Sequence, residues 1–122
     1  MKDILIVDDS ELIRNALELI LSHEGFSVTA AENAEEALGI LRERIFDLGI
    51  FDVNMPGKNG VELTQEVMGL PETGGMRVIM LSSETDHGII SSAVKAGAAA
   101  WVGKPFRKQQ LLEVIAMLQR DS

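Results

Sequence analysis

Five short apolar runs, at residues 4–7, 26–30, 48–51, 78–81 and 100–102, alternate along the chain with segments in which apolar residues recur at helical spacing. Runs that are apolar at nearly every position suit strands covered on both faces, whereas half-exposed strands would alternate with polar residues. Between the runs, Ile13, Ala16, Leu17, Ile20 and Leu21 lie on one face of a helix that Gly25 stops. Asn33 suits the N-cap of a second helix, reaching about Arg44 with Ala37, Leu38 and Leu41 inward. Further helices are expected over 61–68, over 89–96 before Gly97, and over 111–118, where Leu111, Leu112, Ile115 and Leu118 face the core and Val114 and Met117 lie off the stripe. Residues 70–75 carry the weakest pattern, and no internal repeat or linker interrupts the series. Five βα units with right-handed crossovers make an α/β protein: a doubly wound, five-stranded parallel sheet with five helices.

The 122 residues suffice for one domain, taken as 1–122 with no output domain after the last helix. The absence of cysteine excludes a disulfide framework and a thiolate metal site. No apolar stretch approaches the ~18 residues of a membrane span and no leader is evident, so a cytoplasmic location is expected. A formal net charge of −8 disfavours nucleic acid and points to cations and protein partners.

Doubly wound sheets place their sites at the carboxyl ends of strands. Those ends carry Asp8-Asp9-Ser10, Asp52, Ser82-Ser83-Glu84 and Gly103-Lys104-Pro105. Two carboxylates about 4 Å apart repel by roughly 4 kcal/mol at an effective dielectric near 20, so Asp8, Asp9 and Asp52 together require a cation. An all-oxygen donor set suits Mg²⁺. Lys104 offers a charge and Ser82 a donor to phosphoryl oxygens, which leaves Asp52 as a nucleophile that would form an aspartyl phosphate. Singly, each has a plainer role: Asp52 in a turn, Asp8-Asp9-Ser10 capping a helix, Ser82 and Lys104 solvated, Trp101 packing on the core, Lys58 in solvent, Met55 in a loop. The convergence favours chemistry.

With "ILIVDDS", "FDVNMPGKNG", "VIMLSSE" and "AGAAAWVGKPF" in that order, the chain resembles over nearly its whole length the receiver domain of two-component response regulators. The likeness is strongest to the single-domain, CheY-like chemotaxis type. It implies the flavodoxin-like strand order 2-1-3-4-5, with Asp52 as phosphoacceptor and Mg²⁺ held by Asp8, Asp9, Asp52 and the backbone carbonyl of Asn54. It further implies Lys104 as partner of the phosphoryl oxygens, Ser82 as switch hydroxyl, Trp101 as switch aromatic, and a cis bond before Pro105. Asn54 and Glu84 stand where the family tunes phosphoryl lifetime. The phosphodonor would be a partner histidine kinase, and movement of Ser82 would bias the face of helix four, strand five and helix five toward a target protein. Such a domain is no enzyme beyond catalysing its own phosphorylation and dephosphorylation.

Three departures from the family pattern stand out. Ser82 replaces the common Thr, Trp101 is bulkier than the usual aromatic and puts its swing in doubt, and Lys58-Asn59-Gly60 replaces Met-Asp-Gly, bringing a positive charge near the site. One alternative is a haloacid dehalogenase type phosphatase, which needs a second Asp where this chain has Asn54. The other is an unphosphorylated receiver-like scaffold, against which the costly acidic cluster speaks.

Overall fold

The computed structural model describes residues 3–73, 75–83 and 87–120. Its elements run β1 (Asp3–Val7), α1 (Glu11–His23), β2 (Ser27–Ala31), α2 (Ala34–Leu41), β3 (Leu48–Asp52), α3 (Gly60–Met68), β4 (Arg77–Ser82), α4 (His87–Ala96), β5 (Ala100–Gly103) and α5 (Lys108–Arg120). All strand pairs are parallel, in the order β2-β1-β3-β4-β5. The expected fold class and strand order are those observed.

Alternation along each strand splits the core in two. Leu5, Val7, Phe51, Val78 and Met80 face one side, where α2, α3 and α4 cover them with Ala37, Leu41, Leu63, Val67 and Ala93. Ile4, Ile6, Ile50, Ile79 and Leu81 face the other, under Leu17 and Leu21 of α1 and Leu111, Ile115 and Leu118 of α5. The central strands β1, β3 and β4 are buried almost throughout, which is why their sequences show no alternation. The edge strand β2 is half exposed along most of its length.

Helix starts are capped by side chains. Ser10 accepts from the Ile13 amide at 3.3 Å and Asn33 from the Glu36 amide at 2.8 Å, while Asn59 and Glu62 form a reciprocal capping box at α3. Gly97 closes α4 at φ 108°, and a Cβ there would meet Met68 of α3.

One expectation needs correction. Helix α2 ends at Leu41, with Arg42 as its C-cap, rather than near Arg44; the Arg44 amide still bonds back to the Ile40 carbonyl at 3.0 Å, while its guanidinium donates to Thr29 Oγ1 at 2.9 Å and lies over the Phe46 ring, 4.8 Å from its centroid. Leu112 packs on the core as expected, but is only partly buried, unlike Leu111, Ile115 and Leu118. The weakly patterned stretch holds a 3-10 turn, Pro71–Thr73, tied down by the buried Thr73 hydroxyl, which lies 2.9 Å from the Leu70 carbonyl and 3.1 Å from that of Val67. Among the described residues no helix is long and apolar enough to cross a membrane.

Candidate functional site

The register of the sheet brings four strand ends together. Val7 of β1 pairs with Phe51, so Asp8 leaves its strand beside Asp52, the last residue of β3. Asp52 pairs with Leu81, and Ser82, the last residue of β4, pairs with Gly103. Beyond β5 the ladder continues for one bond, from the Lys104 amide to the Ser82 carbonyl at 2.8 Å. The Lys104–Pro105 bond is cis, as expected.

Asp8 is wholly buried and Asp52 is 3% exposed. The Lys104 ammonium reaches both, 2.9 Å from Asp8 Oδ2 and 3.0 Å from Asp52 Oδ1. Asp8 Oδ1 also accepts from the Ser10 amide at 2.9 Å, and Asp52 Oδ1 from the Asn54 amide at 3.3 Å. Asp8 Oδ2 has the ammonium as a charge neighbour but no aligned hydrogen-bond donor. The exposed Asp9 borders an open cleft that also touches Glu32, Asn33 and Lys58.

Burial holds the Asp52 carboxyl above its ordinary pKa, helped by the negative charge of Asp8 and opposed by Lys104 and the Asn54 amide. Burial would push the Lys104 ammonium down, but the close carboxylates of Asp8 and Asp52 together outweigh it and hold its pKa above the ordinary value.

One carboxylate oxygen from each of Asp8, Asp9 and Asp52 falls within 4.8 Å of the other two. That hard-oxygen set, with a buried carboxylate oxygen lacking an aligned donor, fits a small divalent cation such as Mg²⁺. Asn54, two residues after Asp52, is exposed. Ser82 is 1% exposed at the mouth of the cluster. Trp101 is partly buried against the α2-α3-α4 core. Glu84 lies outside the described residues.

Lys58 is exposed, as expected, and its ammonium pairs at the surface with the Glu66 carboxylate of α3. Two residues went unsuspected. Arg14 donates to the Asp8 carbonyl at 2.7 Å and so ties the acidic turn to α1. Gly60 sits against Asp52: a Cβ there would come within 2.8 Å of the Asp52 carbonyl carbon and 2.9 Å of Met80 Cε. The glycine stood inside the quoted "FDVNMPGKNG", but only the fold shows what it touches.

Fold and site together define a doubly wound α/β protein with an acidic, lysine-bridged centre at its strand ends. The model of the response regulator receiver domain matches residues 4–116, and the chain belongs to that family. It is 37% identical over 115 residues to the chemotaxis protein CheY of Halobacterium salinarum, with 94% of each chain covered. It is 32% identical to the transcriptional regulatory protein ResD of Bacillus subtilis, over 98% of this chain but 49% of that one. Of the sensory/regulatory protein RpfC of Xanthomonas campestris pv. campestris it spans only 16%. Among solved structures, a CheY-like receiver domain protein from Methanospirillum hungatei superposes with a TM-score of 0.92 at 33% identity, covering 99% of this chain and 95% of that one. Chemotaxis protein CheY4 of Vibrio cholerae gives 0.91 at 32%, covering 96% and 98%. Receiver domains are the signalling modules of two-component systems: they accept phosphoryl groups from histidine kinases and signal to downstream targets.

Proposed function

We propose that residues 1–122 act as one receiver unit, a cytoplasmic phosphorylation switch whose acceptor is Asp52 and whose output is binding to a protein target, in chemotaxis. The observation that carries this reading is the single ammonium of Lys104 standing 2.9 and 3.0 Å from two buried carboxylates. Two carboxylates on one ammonium leave a net negative charge whose burial costs stability, a cost that a bound cation would offset and that sets the site up for phosphoryl chemistry.

An Asp52 carboxylate oxygen attacks the phosphorus of a kinase phosphohistidine, the P–N bond breaks, and its electron pair leaves with the histidine nitrogen. Mg²⁺, held by Asp8, Asp9, Asp52 and the Asn54 carbonyl, would supply charge neutralisation for the incoming phosphoryl oxygens. Lys104 is placed to release a carboxylate and take a phosphoryl oxygen, and the Ser82 hydroxyl to donate to another. The shift of Ser82 then biases α4, β5 and α5, with Trp101 on that face. Asn54 and Glu84 set how long the phosphoryl group survives. The likeness to the Halobacterium CheY supports the chemotaxis assignment, and the net charge of −8 favours a protein target over nucleic acid.

The test is incubation with Mg²⁺ and a small phosphoramidate, followed by intact mass measurement. One phosphoryl group is expected, lost with EDTA and in Asp52→Asn. An unmodified wild type would overturn the reading, and turnover of a chromogenic phosphate ester would point to the phosphatase instead.

A further inference from the structure

We infer that Met80, held by the buried hydroxyl of Thr64, links the main chain of Asp52 to Trp101, so that Thr64 is a positioning residue for the switch. The stimulus rests on the phosphoacceptor reading above, whereas the link itself does not.

The contact begins at Gly60. The first turn of α3 is seated directly on the Asp52 carbonyl, with the Gly60 amide donating to the Val53 carbonyl at 3.1 Å and no space for a Cβ. A shift of the Asp52 main chain therefore has to move that turn. Met80 Cε lies beside the same point, 2.9 Å from where a Cβ would be, so the tip of Met80 fills the corner between the helix and β3.

Thr64 ties the two sides together. It is fully buried, and its Oγ1 lies 2.8 Å from the Gly60 carbonyl and 3.3 Å from Met80 Sδ. A methionine has an unbranched, adaptable side chain that would ordinarily absorb a push. Its sulfur shares the single hydroxyl proton of Thr64 with the Gly60 carbonyl of the moving turn, a three-centre contact through which it transmits the push instead.

On the far side Met80 pairs in register with Phe51 on β3 and with Trp101 on β5. Registered residues of neighbouring strands project from the same face of the sheet, and Met80 and Trp101 belong to the same core. The route thus runs Asp52, Gly60, Met80, Trp101, through the helical layer rather than through Ser82.

Trp101 is the only tryptophan and the chain has no tyrosine, so its emission reads the far end alone. The experiment adds Mg²⁺ and beryllofluoride to the full chain, counts occupied sites by the fluorine resonance of the bound mimic, and records Trp101 fluorescence on the same samples. In Thr64→Val the bound resonance saturates as in wild type while the Trp101 change falls to half or less. Thr64→Ser, which keeps the hydroxyl, restores it, and Ser82→Ala lowers the response further in combination with Thr64→Val. A full Trp101 response in Thr64→Val at equal occupancy would overturn the link.

A second measurement needs no phosphoryl mimic. In the metal-free protein Thr64→Val, by releasing the thioether, shifts the Trp101 emission relative to wild type and to Thr64→Ser. Identical spectra in all three would refute the link. A wild type without a bound fluorine resonance would refute the acceptor reading and leave the metal-free comparison to decide on Thr64 and Met80.

Discussion

Lys104 keeps two buried carboxylates together, and the tension between them is measurable residue by residue. Because the folded-state pKa of Asp52 lies above its ordinary 3.8, the folded protein holds that proton more tightly than the unfolded chain. The stabilising contribution is complete below the ordinary carboxylate value and disappears as pH rises through the folded one. Asp52→Asn is therefore expected to stabilise the metal-free protein at neutral pH, an advantage that fades in acid; urea midpoints at several pH values check it. Lys104 behaves with the same sign in a far more alkaline window: its pKa is raised from 10.5, so its contribution is present below that value and lost as pH climbs through the folded one. Mg²⁺ relieves the same crowding from outside. Saturating Mg²⁺ should raise stability by about 1 to 3 kcal/mol, since binding acts on the native state. Asp9→Asn should remove most of that gain, which thermal melts in EDTA and in Mg²⁺ would register; coincident wild-type curves would speak against a formed site.

At the scale of elements, the start of α3 is where substitution should tell most. Gly60→Ala forces a methyl group against the Asp52 carbonyl and Met80, an overpacking expected to cost about 1 to 3 kcal/mol and to slow phosphorylation by the phosphoramidate. A variant with wild-type midpoint and rate would show that the turn gives way freely. The strands were legible because β1, β3 and β4 are buried on both faces, and their ends delivered Asp8, Asp52 and Ser82 without further help. The end of α2 was not, since the Arg42 and Arg44 amides still bond back to Leu38 and Ile40 past the last helical residue, and the Arg44 side chain finds its partners, Thr29 and Phe46, on or beside other elements. Arg14, Gly60 and Thr64 escaped notice for a related reason. Their roles consist of a few contacts each, to carbonyls or to the Met80 side chain, and neither periodicity nor composition records such contacts. Lys58 looked free because its partner, Glu66, lies eight residues on and becomes adjacent only when the loop folds back onto α3.

For the molecule as a whole, 19 acidic against 11 basic side chains make self-repulsion a standing cost. Raising ionic strength with a salt of a monovalent cation should therefore raise the melting midpoint of the metal-free protein and narrow the gap to the Mg²⁺ form. A midpoint that falls with salt would mean that ion pairs such as Lys104 with Asp8 and Asp52 outweigh the net charge.

The site draws Asp8, Asp52, Ser82 and Lys104 from four different strands, and the ammonium that joins them follows the last of these. A nascent chain on the ribosome thus presents Asp52 long before residue 104 emerges, and until β5 docks the site holds only mutually repelling acids. If Asp52 is the acceptor proposed above, half-made copies would be mute toward a kinase, and competence to signal would double as a proofreading mark of finished folding.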